Sequence, residues 1–202
     1  MYRKQLVLLM VLVTSGCVSA PPTNISNICE IFSEKKGWYK SAKKSSQKWG
    51  TDIAVMMAMI HQESSFRARA KPPRKKILGV IPGRRPASAY GYAQAIDSTW
   101  AIYKRSTGNR GADRNKFEDA VDFVGWYNDQ SQRKNNIRKN DAYSLYLAYH
   151  EGHRGFAMRT YKKKKWLKQT SSKVSKRSST YRTQLNRCES RLSKSFLRKI
   201  FS

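Results

Sequence analysis

Eight consecutive apolar residues at positions 53–60 stand out in an otherwise polar stretch of the chain. Gly50 is a helix-stop residue before them, and Asp52 is suited to cap the N-terminus of a helix because its carboxylate can accept a hydrogen bond from a free backbone N–H group. A helix that is apolar on every side belongs in a protein core. The pattern therefore predicts a central buried helix that begins at position 53.

Apolar positions recur at helical spacing in much of the remaining chain. Residues 28–49 predict an amphipathic helix with a break near Gly37. The other segments with helical spacing are 98–105, 117–133, 142–150 and 154–175, followed by a basic helix over 179–199. Convincing strand alternation and internal repeats are absent from the sequence. The predicted fold class is mainly α, in one domain.

Two segments show neither helical nor strand periodicity. Residues 18–26 contain two prolines and several small residues, so we interpret residues 17–26 as a tether. Residues 71–87 hold four prolines and two glycines, which predicts a long loop. A loop longer than about 12–15 residues inside a compact domain is usually functional or mobile.

The N-terminus has the form of a bacterial export signal. A basic stretch at residues 1–4 precedes an apolar run at 6–13, which is far shorter than the roughly 20 apolar residues of a membrane-spanning helix. The small residues that end at Cys17 resemble a lipobox. We therefore predict that residues 1–16 are removed and that lipidated Cys17 anchors the mature protein to a membrane in the periplasm, at the outer membrane. An ordinary secretory peptide cut near Ala20 is the alternative.

The charge of the chain restricts the class of its partners. It has 41 Lys and Arg against 13 Asp and Glu, a formal net charge of +28. Such a surface favours nucleic acid, anionic lipid headgroups or a carboxylate-bearing polymer. Export argues against nucleic acid as a partner. The basic residues concentrate in 67–85 and 154–199, where a merely solvated cationic face is the alternative to a binding surface.

The cysteines agree with export. If Cys17 carries lipid, Cys29 and Cys188 remain, and two thiols in an oxidising compartment usually pair. We predict a disulfide that ties the first helix of the domain to the last. Two unpaired buried thiols are the alternative.

Glu63 is the leading candidate for chemistry. It follows the apolar helix, and its neighbours one helical turn back are Met59 and Ile60, so its carboxylate points along an apolar face. Desolvation and the negative end of the helix dipole both raise the pKa of a carboxyl group, as a general acid requires. The alternative is a solvated Glu63 at the helix end.

Three short motifs in fixed order carry a family resemblance. They are His61-Gln62-Glu63-Ser64-Ser65-Phe66, Ala89-Tyr90-Gly91-Tyr92-Ala93-Gln94 and Ala148-Tyr149-His150-Glu151-Gly152. Together they resemble the motifs of the soluble lytic transglycosylase (SLT) family, whose lysozyme-like members cleave peptidoglycan. The resemblance spans residues 27–190, which we interpret as the catalytic domain with a glycan-binding cleft, and leaves 191–202 as a basic tail.

The resemblance implies roles for individual residues. Glu63 matches the single catalytic acid and Ser64 its hydrogen-bonding partner, and Gly91 to Gln94 match a loop that lines the glycan cleft. Tyr149 matches a tyrosine near the acid, whereas Tyr92, Ala93 and His150 replace the Leu, Met and Asn of the family pattern. We expect substrate contacts from Ser64, Tyr90, Gly91, Tyr92, Gln94, Tyr149 and His150.

The reaction that the resemblance implies needs only one carboxyl group. The acid protonates the glycosidic oxygen between MurNAc and GlcNAc, and its carboxylate then deprotonates the C6 hydroxyl, which closes a 1,6-anhydro ring. The alternatives are a muramidase with a second carboxylate and a noncatalytic peptidoglycan-binding lipoprotein on the same scaffold. The residues that can supply a second carboxylate are Asp97, Asp119, Asp122 and Glu151. The three His and three Cys lack the spacing of metal ligands, so no metal or cofactor is expected.

Overall fold

The protein is described from a computed structural model that covers residues 20–74, 76–77, 81–82 and 87–198. Its elements are α1 (Ile28–Glu34), α2 (Trp38–Trp49), α3 (Ile53–Ser64), β1 (Lys76–Ile77), β2 (Ile81–Pro82), α4 (Asp97–Thr107), α5 (Phe117–Asn135), α6 (Ala142–Ala157), a 3-10 helix (Thr160–Lys163) and α7 (Lys165–Arg198). The mainly α class is confirmed. The two short strands pair antiparallel, and the sequence pattern did not predict them.

Helix α3 lies at the centre of the core. The Asp52 carboxylate accepts a hydrogen bond from the Ala54 N–H group at 2.7 Å, so the helix begins where the sequence predicts. Every residue from 53 to 61 is buried. Helices α2, α5, α6 and α7 all pack against α3, which explains why its sequence is apolar on all sides.

A close approach of α2 and α5 sets the position of α5. A Cβ atom at Gly125 would lie 2.5 Å from Ser45 Oγ and 2.7 Å from a ring carbon of Trp49, so only glycine allows this spacing. The Ser45 hydroxyl donates a hydrogen bond to the Val121 carbonyl at 2.9 Å. This packing fixes the helix that carries Tyr127 to the site described below.

The prediction of two separate helices over 154–175 and 179–199 is wrong. Residues 165–198 form one continuous helix, and the interruption lies earlier, between the end of α6 at Ala157 and Lys165, inside the segment predicted as the helix 154–175. The kink at Gly152, where φ is 74° and ψ is 161°, falls in the gap predicted between 150 and 154. Small polar residues cause the apparent gap in the pattern: Ser171 and Ser178 are buried in the contact face alongside Val174 and Tyr181. The segment predicted as a basic tail continues this helix as far as Arg198.

The described part of the predicted tether packs against the domain. The Thr23 N–H group donates to the Glu34 carboxylate at 2.8 Å, the Tyr181 hydroxyl donates to the Ile25 carbonyl, and the Gln184 amide donates to the Ser26 carbonyl at 3.2 Å. From Thr23 onward the chain is therefore held by α1 and α7, which composition alone did not predict. The predicted signal peptide and Cys17 lie outside the described residues.

A disulfide joins Cys29 in α1 to Cys188 in α7, across a sequence separation of 159 residues, as the cysteine count predicts. The Cα atoms of the pair are 6.1 Å apart, an ordinary separation for a disulfide. Among the helices of the described ranges, none combines the length and the apolar character needed to cross a membrane.

Candidate active site

A groove of about 530 Å³ opens beside the end of α3, between the segment around residues 87–96 and the end of α6. Its polar lining consists of Glu63, Gln94, Thr99, Tyr127, Tyr149, His150 and Glu151. The fold thus brings together Glu63, Gln94, Tyr149 and His150, four residues that the sequence predicts for the site. They come from α3, an irregular segment and α6.

Glu63 occupies the last turn of α3. Ser65 ends the helix in a left-handed conformation with φ 50°, and its N–H group donates to the His61 carbonyl at 2.8 Å. Burial raises the pKa of the Glu63 carboxyl to about 7, although a hydrogen bond from the Tyr146 hydroxyl lowers it. A carboxyl group with this pKa is partly protonated at neutral pH, which is the state that a general acid requires.

Three tyrosines surround the acid. Tyr146 donates to Glu63, whereas the Tyr149 hydroxyl donates to the Ala93 carbonyl at 2.5 Å and the Tyr127 hydroxyl to the Ala148 carbonyl at 3.2 Å. Burial raises the pKa of Tyr127 to about 12, and burial together with the nearby Glu63 raises the pKa of Tyr146 and Tyr149. All three hydroxyls therefore stay protonated near neutral pH.

Tyr146 is a site residue that the sequence analysis missed. The resemblance places a tyrosine near the acid at position 149, but the hydroxyl of Tyr149 is bonded to Ala93 and it is Tyr146 that bonds to Glu63. The two tyrosines are three residues apart on α6 and so lie on the same helix face. That spacing was the signal available in the sequence.

The segment that faces α6 across the groove is held by hydrogen bonds. Gln94 has a left-handed backbone with φ 49°, and its Nε2 donates to the Ala70 and Gly91 carbonyls, both at 2.9 Å. The Arg114 guanidinium donates to the Ala95 carbonyl at 2.8 Å. These contacts fix the orientation of the Gln94 amide before any ligand binds.

Comparison with protein families matches residues 5–188 to the family described as transglycosylase SLT domain. The chain belongs to this family. The resemblance seen in the three motifs is thereby confirmed, together with the lysozyme-like fold class. No curated protein and no solved structure matches the chain. The family acts on periplasmic peptidoglycan glycan strands, which indicates transglycosylase activity in general and an exported protein.

Three residues of this SLT domain that the sequence predicts to contact substrate do not line the groove. The buried Ser64 hydroxyl donates to the Ile60 carbonyl at 3.2 Å. The buried Tyr92 ring packs edge-on against Trp38 and Phe117. Tyr90 is half-buried, with the Arg114 guanidinium 5.4 Å from its ring centroid. All three support the groove wall and are absent from the groove lining.

Gly91 is close to protein backbone instead of ligand. Its φ is 78°, a left-handed value that glycine adopts without strain. A Cβ atom there would lie 2.0 Å from the Arg114 carbonyl oxygen. The sequence predicts a substrate contact at Gly91, but the neighbour that requires glycine there is the chain entering α5.

Of the possible second carboxylates, only Glu151 lines the groove of the SLT domain. Its side chain is 3% exposed, and it accepts hydrogen bonds from Lys164 Nζ at 2.7 Å, from the Thr160 hydroxyl and from His150 Nδ1 at 3.1 Å. Burial alone would raise the pKa of Glu151, but these hydrogen bonds outweigh it and lower the pKa to about 2. Glu151 is therefore a paired anion with little access to a nucleophilic water.

The three aspartates have structural partners outside the groove. Asp97 is 67% exposed and pairs with Arg114 at 2.8 Å. Asp119 accepts from the Asp113 N–H group, and Asp122 accepts from the Trp49 indole N–H at 2.8 Å. Within the described ranges, no group of three or more His, Cys, Asp or Glu side chains could hold a metal ion.

Proposed function

We propose that this SLT domain is a peptidoglycan lytic transglycosylase that cleaves the β-1,4 bond between MurNAc and GlcNAc, with Glu63 as its only catalytic acid. The observation that carries the proposal is the contrast between two groove carboxyls. Burial holds the pKa of Glu63 near 7, whereas Glu151 is tied to Lys164 and has a pKa of about 2. One group can exchange a proton near neutral pH, and the other stays an anion.

The proposed reaction returns Glu63 to its starting state. Protonated Glu63 gives its proton to the bridging oxygen as the bond from that oxygen to C1 of MurNAc breaks. The C6 oxygen of the same sugar then bonds to C1, and its proton passes to the Glu63 carboxylate. Because the nucleophile is already part of the substrate, the step avoids the entropy cost of capturing water. The products are a GlcNAc hydroxyl and a 1,6-anhydro-MurNAc end.

The surrounding residues are proposed to hold the glycan. Gln94 and His150 line the groove and present polar groups to the strand. Tyr149 joins α6 to the opposite wall through the Ala93 carbonyl, which keeps the groove at a fixed width. Tyr146 positions the Glu63 carboxyl. Ser64, Tyr90, Gly91 and Tyr92 act indirectly, by supporting the wall.

Mass spectrometry of a digest of purified sacculi tests the reaction. The wild type should release fragments whose anhydro-muramyl ends are one water lighter than reducing ends, and Glu63→Gln should release none. Glu118→Gln is the control, since Glu118 is an exposed acid at the start of α5. Reducing ends from the first time point would favour the muramidase alternative. Binding to sacculi without any release would favour a noncatalytic protein.

Export, lipidation and charge are proposed to keep the enzyme at the wall. The N-terminal sequence supports cleavage before Cys17 and a lipid anchor in the outer membrane. The cationic surface of the chain suits the carboxylates of peptidoglycan stem peptides and the phosphates of lipid headgroups. Labelling with a radioactive fatty acid should mark the wild type and not Cys17→Ser. Absence of label from both proteins would indicate an ordinary secretory peptide.

A further inference from the structure

Trp166 leaves a large aromatic surface exposed next to the groove. The residue lies in the first turn of α7 and is 53% exposed. Its ring centroid is 4.9 Å from that of His150, with an angle of 80° between the ring planes. His150 lines the groove, so the indole extends the surface of the groove beyond the residues that enclose it.

The corner between α6 and α7 fixes the position of this indole. Glu151 at the end of the first part of α6 binds Lys164, which directly precedes α7, and Thr160 from the 3-10 helix. Leu167, the neighbour of Trp166, is fully buried and anchors the helix start in the core. The backbone of Trp166 is therefore held in place before a ligand arrives, which lowers the entropy cost of binding.

The surroundings of Trp166 are cationic. Lys162, Lys163 and Lys165 are exposed next to it in the chain, and Lys164 keeps 42% of its side chain exposed despite its ion pair. An aromatic face flanked by ammonium groups suits a ligand that has an apolar face and carries carboxylates. A MurNAc-containing glycan strand has both, in the C–H face of each pyranose ring and in the carboxylates of its stem peptides or, where the stems are removed, of its lactyl groups.

We propose that Trp166 is a sugar-binding platform at the His150 end of the groove, where its indole stacks on a pyranose ring of the glycan strand away from the bond that is cleaved. The proposal rests on the proposed function in taking a glycan as the ligand of the groove. A lipid surface is the competing occupant, since tryptophan beside lysines also suits a membrane interface. The direct contact with groove-lining His150 favours the glycan.

Calorimetry with a GlcNAc–MurNAc octasaccharide, freed of stem peptides, tests the platform. The parent protein is Glu63→Gln, which prevents turnover during the titration. Adding Trp166→Ala should weaken binding about tenfold, as expected for the loss of a stacked aromatic surface. Trp166→Tyr should restore much of the affinity. Ile102→Ala is the control, since Ile102 is also apolar and 48% exposed but does not line the groove.

Steady-state kinetics of Trp166→Ala in the active protein, which keeps Glu63, give a second readout. A platform remote from the cleaved bond binds substrate and transition state equally, so Trp166→Ala should raise KM and leave kcat nearly unchanged. Equal affinity of Trp166→Ala and its parent overturns the platform, and so does an equal loss in Ile102→Ala. Unchanged octasaccharide affinity with weaker binding to phosphatidylethanolamine–phosphatidylglycerol vesicles would assign Trp166 to the membrane instead. Turnover by Glu63→Gln would contradict the proposed chemistry but not the platform, which the KM of Trp166→Ala would still test.

Discussion

The Tyr146 hydroxyl donates its hydrogen bond to the Glu63 carboxylate, so a single contact tunes the group proposed to transfer the proton. Burial raises the pKa of Glu63, and this contact moderates the increase because it stabilises the ionised form. A tyrosine with a strongly raised pKa is well suited to this role, since it donates its proton in a hydrogen bond without losing it.

Tyr146→Phe should move the alkaline limb of the pH profile. The first proposed step needs protonated Glu63, so kcat/KM of the wild type should fall as the pH rises through about 7. Loss of the hydroxyl removes a contact that lowers the pKa of Glu63, so the limb should shift to higher pH in the variant. Tyr143→Phe on the same helix is the control, because Tyr146 and not Tyr143 acts on the pKa of Glu63. An unmoved limb in Tyr146→Phe would contradict this coupling.

The ionised Glu63 carboxylate should destabilise the fold at neutral and alkaline pH. The pKa of Glu63 is raised from 4.5 to about 7 on folding, so the unfolded chain releases this proton at lower pH than the folded chain does. The contribution of Glu63 to stability therefore declines from about pH 4.5 to pH 7 and stays low above that range. Glu63→Gln should raise the free energy of unfolding at pH 8 by roughly 1–3 kcal/mol, with a smaller gain at pH 4.

Urea denaturation at the two pH values measures this difference. Glu118→Gln should show no such pH-dependent gain, because Glu118 is exposed. A Glu63→Gln variant that is less stable than the wild type at pH 8 would show that the buried carboxylate is well compensated, against the general-acid assignment.

Glu151→Gln should weaken the fold without changing the reaction product. The hydrogen bonds to Glu151 lower its pKa from 4.5 to about 2, so its contribution to stability is complete above about pH 5 and is lost as the pH falls toward 2. Removal of the charge leaves Lys164 without its carboxylate, at a cost of about 1–3 kcal/mol at pH 7.

Two measurements check the Glu151 prediction. The stability difference from wild type should shrink as the pH is lowered from 5 to 2.5, and the digest of sacculi should still contain anhydro-muramyl ends. If Glu151→Gln abolished release while retaining wild-type stability at pH 7, Glu151 would be a catalytic carboxylate and the single-acid mechanism would fail.

The sequence predicted those parts of the site that depend on local pattern. The run at 53–60 identifies α3, and the position of Glu63 just after it predicts both the burial and the raised pKa of the acid. The hydrogen bond from Tyr146 to Glu63 and the hydrogen bonds that Glu151 accepts depend instead on tertiary packing. Lys164 is thirteen residues beyond Glu151 in the chain, and no local spacing indicates that the corner at Gly152 returns it to that carboxylate.

Burial of polar and aromatic residues explains the remaining differences from prediction. Tyr92 falls in a substrate motif, yet its ring completes a cluster with Trp38 and Phe117, two residues that are distant in sequence. Ser171 and Ser178 interrupt the apolar face of α7 but are small enough to pack in it. A hydrophobicity pattern treats such positions as exposed, because it does not register which neighbours cover them.

Gly91→Ala should be among the most damaging substitutions at a glycine, because two separate effects coincide there. The φ of 78° strains an alanine, and its Cβ would lie 2.0 Å from the Arg114 carbonyl oxygen, which belongs to backbone that cannot turn aside as a side chain does. We expect a loss of about 3 kcal/mol or more in the free energy of unfolding.

Two other glycines separate the strain of a positive φ from the close contact of the Cβ atom. Gly108→Ala has a positive φ of 71° and open space, so it should cost about 1 kcal/mol, whereas Gly111→Ala has neither constraint and should cost almost nothing. Thermal unfolding of the three variants gives the order, and activity adds a second test. Because Gly91 also accepts a hydrogen bond from Gln94, displacement of the wall should lower activity in Gly91→Ala even at temperatures where it remains folded. Equal stability of Gly91→Ala and Gly108→Ala would mean that the Arg114 backbone yields to the added methyl group, and that the close contact does not hold this wall of the groove.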